Sequence, residues 1–264
     1  MNKNKPVISV ITVTYNAAGL LEETIKSVIS QDYERVEYIV IDGGSTDGTL
    51  DIINKYAGHI SYSVSEHDGG IYDAMNKGIK AAGGEIINLL NAGDRYASVD
   101  VVRSFADHFA GNPASLWAYG LVGLYGANNW PPVITGRKRL NRYVEHCHQG
   151  FFYRKDLHGK FGYYDVSYKI AADHKFMLAV YNKGGGEPFF LNKIAVYYLL
   201  GGRSDRRLEA IREEKAAQDE ILGKSLRNTA RYCIKFLSYE TRKILDSAAF
   251  LRPLLRMIRR IKHG

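Results

Sequence analysis

The sequence predicts an α/β fold, a Rossmann-like mixed sheet flanked by helices, from two observations. Residues 6 to 110 alternate between short apolar runs and segments with helical spacing of apolar residues, as βαβ units do. Three of the apolar runs, 7–13, 38–41 and 86–90, end in polar, acidic or glycine-rich residues. Because ligands bind at the carboxyl ends of the strands in open α/β sheets, these three ends predict a ligand site.

The three strand ends offer different chemistry. They are residues 14–16, 42–45 and 91–94. Asp42 can accept a hydrogen bond from a base or a ribose hydroxyl, or it can close an Asx turn or cap a helix. Asp94 can be a hard oxygen ligand for a divalent metal on a diphosphate, or a member of a turn. Taken together, the three ends indicate a nucleotide site that lacks a phosphate-binding glycine loop.

Periodicity and turn residues place the remaining elements. The first half predicts helices over 20–29, 50–56 with Thr49 as N-cap, 71–79 before Gly83-Gly84, and 101–109 with Asp100 as N-cap. The second half predicts strands over 116–125, 151–153 and 194–200, a turn at 128–132, a helix over 171–182, and charged helix from residue 206 onward.

Composition and missing motifs exclude several classes. The two cysteines, Cys147 and Cys233, form no ligand pair, which favours a reduced, cytosolic compartment. We expect neither a signal peptide nor a membrane span, because no apolar run approaches the roughly 18 residues that a span needs. Neither Gly-x-Gly-x-x-Gly nor a Gly-Lys-Ser/Thr loop is present, which argues against a dehydrogenase or a P-loop protein.

Two later segments have alternative interpretations. Asp173 stands at the predicted start of a helix, where a carboxylate is either a general base or a partner of the helix dipole. His146 and His148 flank Cys147, but a Cys/His zinc site would need further thiolates. A sugar or phosphate contact and a polar strand edge both remain possible for these histidines.

Several segments of the sequence together resemble the family 2 glycosyltransferases of the GT-A fold. The most specific of them is Ser65-Glu66-His67-Asp68-Gly69-Gly70-Ile71-Tyr72-Asp73-Ala74-Met75-Asn76-Lys77-Gly78. The others are residues 42–49, His148-Gln149, 151–152, and Gly201-Gly202 with Ser204. The resemblance is to their exopolysaccharide and colanic-acid branch, and it covers about residues 6 to 205. It implies a GT-A domain over 1–205, with a nucleotide-binding half to about 110 and an acceptor-binding half over 111–205. Residues 206–264 then form a basic helical extension.

The resemblance also implies roles for individual residues. Asp173 would be the catalytic base and Asp94 the metal ligand, as the last acid of the family's Asp-x-Asp motif, for Mn²⁺ or Mg²⁺. Asn91 stands where a second carboxylate often is. The nucleotide sugar would contact Thr14, Tyr15, Asn16, Asp42, Asp68, Asn76 and Asn91, and the acceptor or diphosphate would contact His148, Gln149 and Ser204.

The expected activity is the inverting transfer of one sugar from a nucleotide-diphosphate sugar. A UDP-sugar is favoured and a GDP-sugar is possible. The acceptor is expected to be a lipid-linked glycan in bacterial surface polysaccharide biosynthesis. The Gln-x-x-Arg-Trp motif of processive synthases is missing, which favours single addition. The alternative is a non-catalytic nucleotide-binding module, in which Asp94 and Asp173 are only caps.

The net charge of +8 is concentrated near the end of the sequence. Seven basic residues fall within 242–262, and apolar residues at 244, 248, 251, 255 and 258 share one helical face. A basic amphipathic helix predicts peripheral contact of residues 240–264 with the inner face of the cell membrane. The alternative is a solvated helix packed on its own domain or on a second subunit. No nucleic-acid module is recognisable, so nucleic-acid binding is not expected.

Overall fold

The computed structural model describes residues 5–126, 133–135, 147–201 and 207–241. Within them one sheet contains the strands β1 (Ile8–Thr14), β2 (Val36–Asp42), β3 (Tyr62–Ser65), β4 (Ile86–Leu89), β5 (Arg95–Tyr96), β6 (Trp117–Tyr125), β7 (Val133–Thr135), β8 (Phe151–Arg154) and β9 (Phe189–Leu199). The strand order is β3-β2-β1-β4-β8-β6-β9-β5, and β7 pairs with β6.

The sheet changes direction between its two halves. Strands β3, β2, β1 and β4 run parallel, so their carboxyl ends meet at one edge. Strand β8 then pairs antiparallel with both β4 and β6, and β9 returns parallel to β6. This confirms the predicted mixed α/β sheet, and it brings the second half of the chain beside the edge where the parallel strands end.

Helices cover both faces of the sheet. They are α1 (Ala18–Ile29), α2 (Thr49–Lys55), α3 (Ile71–Ala81), α4 (Val101–Gly111), α5 (Leu157–Phe161), α6 (Ala172–Ala179) and α7 (Arg207–Leu222), and residues 226–241 are also helical.

Alternating residues of the parallel strands point to opposite faces of the sheet. Ile11 packs in a cluster with Met75 and Phe176 of α3 and α6, whereas Val10 packs in a second cluster with Leu21 and Phe105 of α1 and α4. A strand that is buried on both faces must be apolar at every position, which explains the continuous apolar runs.

Helix α3 lies unusually close to the sheet because of Gly78. A Cβ atom at Gly78 would lie 2.4 Å from Cγ2 of Ile11, which is too close for two carbon atoms that are not bonded to each other. The small residue therefore lets the helix settle on β1, and it carries the residues at the start of α3 to the carboxyl ends of β1 and β2.

Several predicted boundaries differ from the structure. Thr49 is the first residue of α2 and not its N-cap, because Asp47 accepts the Thr49 amide hydrogen bond and Gly48 takes the cap position with a positive φ. The helix predicted over 171–182 is α6 followed by a π-helical turn over Val180–Gly184. Strand β9 begins five residues earlier than predicted, since it pairs with the long β6.

Four predicted features lie outside the described residues: the turn at 128–132, His146, Ser204 and the basic segment 242–264. In the portion of the chain that the structure does describe, no helix combines the length and apolar character needed to span a membrane.

Candidate active site

A cleft of about 570 Å³ opens at the carboxyl ends of β1 and β2. Its walls come from four parts of the chain: the end of β1, the residue after β2, the loop that leads into α3 together with the first turn of α3, and the segment before α6. Its lining comprises Val13, Thr14, Tyr15, Gly43, residues 67–74, Val166, Tyr168 and Lys169. Of the residues predicted to bind the nucleotide sugar, Thr14, Tyr15 and Asp68 therefore face one cavity.

The end of β1 presents three different side chains. Thr14 is buried, and its Oγ1 has no hydrogen-bond partner in the described part of the chain. Tyr15 is 62 % exposed at the cleft. Asn16 has a positive φ of 47°, accepts a hydrogen bond from the Thr46 amide through Oδ1, and donates its own amide to Ser45 Oγ. Asn16 thus joins the end of β1 to the loop after β2.

Asp42 is fully buried at the end of β2, and its carboxylate is enclosed by its own surroundings. Oδ2 accepts hydrogen bonds from the amides of Gly44 and Ser45 at 3.1 and 2.9 Å and from Ser65 Oγ at 2.6 Å, while Oδ1 accepts from Ser45 Oγ. The structure therefore gives Asp42 the Asx-turn role that the sequence left open. Its predicted contact with the base stays a prediction.

Asp68 lies beside Gly43 and Tyr15 in the cleft. Its Oδ1 accepts the Gly70 amide at 2.8 Å. A Cβ atom at Gly43 would lie 2.5 Å from Asp68 Oδ2 and 3.4 Å from the Tyr15 ring. Glycine at this position leaves room for the carboxylate and the ring together, so Asp68 lines the cleft, as Asp73 also does.

Asn76 is placed elsewhere. Its Nδ2 donates to the Tyr164 carbonyl at 2.8 Å, and its Oδ1 accepts the Tyr164 amide at 2.9 Å. Asn76 is buried within α3 and does not line the cleft. Both ends of its side-chain amide hold the loop before α6. The function proposed below therefore assigns Asn76 no contact with the nucleotide sugar.

Asp94 is the second buried strand-end acid. It is 3 % exposed, its Oδ2 accepts from Gln149 Nε2 at 2.9 Å, and its Oδ1 accepts the Leu199 amide at 3.0 Å. Burial raises the pKa of Asp94 to about 7, against the smaller lowering effects of these two hydrogen bonds. The carboxylate changes its ionisation near neutral pH.

Asp173 is linked to the same corner through His148. His148 Nδ1 lies 2.7 Å from Asp173 Oδ2, and the Tyr72 hydroxyl donates to Asp173 Oδ1 at 2.8 Å. Because His148 and Gln149 are consecutive, one backbone segment connects Asp173 with Asp94. The structure thus brings the predicted base and the predicted metal ligand to the two ends of a single dipeptide.

The ionisation of Asp173 suits a base. Burial alone would raise its pKa, but the hydrogen bonds from His148 and from Tyr72 outweigh burial, so the pKa lies below the ordinary value. Asp173 is therefore ionised at neutral pH, whereas Asp94, with weaker compensation, titrates there.

The donor set around Asp94 fits a divalent cation that is shared with a ligand. No group of three histidine, cysteine or acidic residues capable of holding a metal occurs within the described residues. A cation on a diphosphate needs only one or two protein carboxylates, since water and phosphate oxygens complete its shell. Asp94 would supply the carboxylate. In the same strand-end turn, Asn91 Oδ1 is a buried oxygen that accepts no hydrogen bond from the described residues.

Sequence reasoning missed several contributors to the site. Tyr72 had been assigned only to a helix, although it lines the cleft and contacts Asp173. Glu213 of α7 accepts the amides of Lys169, Ile170 and Ala171 at 2.8 to 3.1 Å. Helix α6 has no side-chain cap of its own, so Glu213 supplies the acceptor at its start. Nothing local to Glu213 in the sequence signals this contact.

The model of the family "Glycosyl transferase family 2" matches residues 9–162. The chain belongs to this family. It is 39 % identical over 178 residues to an uncharacterised glycosyltransferase of Mycobacterium tuberculosis, covering 66 % of this chain and 68 % of the relative. It is 32 % identical over 206 residues to a PGL/p-HBAD biosynthesis glycosyltransferase of Mycobacterium bovis, covering 76 % and 80 %.

Solved structures share the fold. The S. aureus TarS fragment 1–349 with UDP-GlcNAc gives a TM-score of 0.61 at 21 % identity, covering 87 % of this chain and 71 % of the fragment. The chain spans only 42 % of the longer TarS chain. A mannosyltransferase from Pyrobaculum calidifontis with GDP-Man and Mn²⁺ gives 0.64 at 18 % identity, covering 94 % and 82 %. These likenesses establish a GT-A glycosyltransferase fold for this family 2 enzyme.

Proposed function

We propose that this glycosyltransferase moves one sugar, with inversion, from a nucleotide-diphosphate sugar to a lipid-linked glycan in bacterial surface polysaccharide biosynthesis. The observation that carries the proposal is the dipeptide His148-Gln149, which contacts Asp173 through one residue and Asp94 through the next. The reaction needs a base beside the acceptor and an acid beside the diphosphate, and this dipeptide joins the two acids proposed for these roles. Tyr72, which donates to Asp173, also lines the cleft of about 570 Å³.

The nucleotide end of the donor would occupy the cleft at the ends of β1 and β2. Tyr15 offers an exposed ring for stacking on the base, and Asp68 offers an acceptor for a base or ribose donor group. Thr14 Oγ1, which is buried and has no hydrogen-bond partner among the described residues, lies at the same cavity. TarS binds UDP-GlcNAc and the mannosyltransferase binds GDP-Man, so we propose a UDP-sugar first and a GDP-sugar second.

The transfer step follows from the charges at the other end. The acceptor hydroxyl attacks the anomeric carbon from the face opposite the diphosphate. Asp173, which is ionised at neutral pH, takes the hydroxyl proton, and a base of this kind contributes about 10²–10⁴-fold. The new bond from oxygen to carbon forms as the bond to the phosphate oxygen breaks, and the electron pair leaves with the diphosphate. Displacement in line inverts the anomeric configuration.

We propose that Mn²⁺ or Mg²⁺ takes part, held by Asp94 with the amide oxygen of Asn91. When bound, the ion would neutralise the charge that develops on the departing diphosphate. Gln149 keeps the Asp94 carboxylate in place through its hydrogen bond to Oδ2. The contacts that the resemblance implies for Ser204 remain part of this proposal.

Membrane association of the extension is proposed together with the lipid-linked acceptor, on the cytoplasmic face. The helical residues 226–241 already expose large apolar side chains: Leu226 is 91 % exposed, Ile234 64 % and Leu237 60 %. Apolar side chains on a helix that precedes a basic segment are typical of interfacial helices. Co-sedimentation with anionic vesicles, comparing the full chain with a chain that ends at residue 225, tests this; equal pelleting of the two would refute it.

The activity is tested in two steps. A thermal-shift screen of UDP, GDP and other nucleoside diphosphates, with and without Mn²⁺, identifies the base and the contribution of the metal. Release of the matching nucleoside diphosphate from its sugar donor, with a bacterial lipid extract as acceptor source, then measures turnover. Asp173→Asn is expected to lower turnover by about 10²–10⁴-fold while nucleotide affinity stays within about twofold. Unchanged turnover in this variant would remove Asp173 from the role of base.

The family assignment sets aside the alternative of a non-catalytic nucleotide-binding module. The turnover assay still tests catalysis by this chain directly, because a module that only binds would shift its melting temperature with nucleotide yet release none from a sugar donor.

A further inference from the structure

A chain of side-chain hydrogen bonds runs through the reaction end of the site. The Tyr72 hydroxyl lies 2.8 Å from Asp173 Oδ1, and His148 Nδ1 lies 2.7 Å from Asp173 Oδ2. The other ring nitrogen of His148, Nε2, lies 3.3 Å from Asn91 Nδ2. The side chains of His148 and Asp173 are only 13 % and 16 % exposed, so water competes weakly for these contacts.

The chemistry of each group fixes the directions of these bonds. The Nδ2 group of Asn91 can only donate, so Nε2 of His148 is the acceptor. A neutral imidazole then carries its proton on Nδ1, which donates to Asp173 Oδ2. Asp173 receives one fixed donor on each oxygen, from Tyr72 and from His148, and the plane of the carboxylate is set by the pair.

We propose that His148 is a positioning residue for the catalytic base, and that Asn91 holds its ring in the tautomer that donates to Asp173. This inference rests on the proposed function, since it assigns the base a partner. His148 is not itself the base, because both of its ring nitrogens are engaged, Nδ1 by Asp173 and Nε2 by Asn91.

The proton balance of the step stays on Asp173. Each carboxylate oxygen has a second lone pair beyond the one that Tyr72 or His148 occupies. The acceptor proton goes to one of these lone pairs, and His148 keeps its own Nδ1 proton throughout. The protonated Asp173 releases its proton to solvent after the nucleoside diphosphate has left.

Two isosteric substitutions separate the ring nitrogens. The side-chain nitrogen of asparagine can stand where Nδ1 stands in histidine and donate, and the side-chain oxygen of glutamine can stand where Nε2 stands and accept. His148→Asn therefore keeps a donor for Asp173 and loses the Asn91 contact. His148→Gln keeps the Asn91 contact and loses the donor for Asp173. The matched control is His108→Gln, because His108 lies on α4 and contacts Ser115 and Asn112.

We expect kcat to fall more in His148→Gln than in His148→Asn. It is measured as release of UDP or GDP from the sugar donor whose nucleotide the thermal-shift screen identifies. His148→Gln lowers kcat by about 10²-fold, the effect of a misplaced catalytic group. His148→Asn stays within about tenfold of the native enzyme, which corresponds to about 1.4 kcal/mol. KM for the donor and the melting temperature change little in both, and His108→Gln has native kinetics.

A double substitution completes the test. If His148 acts through Asp173, adding His148→Gln to Asp173→Asn causes no further loss of kcat. The inference is overturned if His148→Gln turns over at the native rate, if it is no slower than His148→Asn, or if the losses multiply in the double variant. Failure of the proposed function is a separate result, because the native enzyme itself would then release no nucleoside diphosphate.

Discussion

Asp42 at the end of β2 and Asp94 in the turn after β4 are two buried acids on either side of β1, yet their surroundings differ. Asp42 receives four hydrogen bonds from its own loop and from Ser65 at the end of the adjacent strand β3. Asp94 receives two, from Gln149 and Leu199, which lie 55 and 105 residues away in the chain. Burial raises the pKa of Asp94 to about 7.

Asp42 is a carboxylate whose hydrogen bonds shape a loop, whereas Asp94 has fewer hydrogen bonds and is better able to bind a cation. Four donors hold the Asp42 carboxylate in its loop, so a ligand that takes one of its oxygens competes with these hydrogen bonds. A buried carboxylate with fewer donors is less stable when ionised, and a bound cation can supply what is missing. The same substitution at the two sites should therefore have opposite effects on stability.

The largest expected effect is that of Asp42→Asn. An amide nitrogen would replace one carboxylate oxygen and face groups that also donate, such as the Gly44 and Ser45 amides. We expect the free energy of unfolding to fall by about 3 kcal/mol. Urea denaturation measures it, with Asp51→Asn as control on the exposed face of α2. A loss below about 1 kcal/mol would show that the loop does not depend on the charge.

Asp94→Asn is expected to raise stability at alkaline pH and to lower transfer. Because the folded pKa is raised to about 7, the folded protein keeps a proton between about pH 4 and 7 that the unfolded chain releases. Native stability therefore falls as pH rises through that window. Asparagine does not titrate, so the variant gains about 2 kcal/mol over the native protein at pH 8 and little at pH 4.5.

The measurement for Asp94 is urea denaturation at pH 4.5, 6 and 8, with the turnover assay alongside. A stability difference that is the same at all three pH values would contradict the raised pKa. Retention of native turnover in the variant would contradict the metal-binding role proposed for Asp94.

Glu213→Gln is expected to have a smaller effect, on the acid-bearing helix α6. The glutamine keeps one oxygen for the three amides before α6 and loses the negative charge at the helix start. We expect about 1 kcal/mol less stability and about fivefold lower kcat, because α6 carries Asp173. Thermal unfolding and turnover measure these, with exposed Glu34→Gln as control. Native kcat in Glu213→Gln would show that α7 does not position the base.

The smallest expected effect is that of Gly43→Ala, at the nucleotide end. The new Cβ would lie 2.5 Å from Asp68 Oδ2, and this side chain can turn away, so the fold tolerates the change. Donor affinity is expected to fall by about fivefold, or about 1 kcal/mol, by calorimetric titration. Gly19→Ala is the control, since its Cβ meets nothing within 4 Å. An unchanged dissociation constant would mean that Asp68 does not contact the nucleotide.

The sequence alone determined the parallel half of the sheet and the edge where the cleft opens. Apolar runs buried on both faces, polar residues at their ends, and helical spacing between them are local patterns, and each could be read without knowing the partner strand. The carboxyl ends of parallel strands meet at one edge whatever the detailed packing. The signature over 65–78 indicated the family, and the family match confirmed it.

Only the tertiary structure decided which side chains act on one another. Tyr72 meets Asp173 across 101 residues, Gln149 meets Asp94 across 55, and Glu213 caps α6 from a helix that follows the predicted domain. These contacts depend on how the second half of the sheet folds back beside the first, and no local periodicity encodes that. The different numbers of hydrogen-bond donors around Asp42 and Asp94 arise in the same way. Packing between distant segments sets how many donors reach a buried carboxylate.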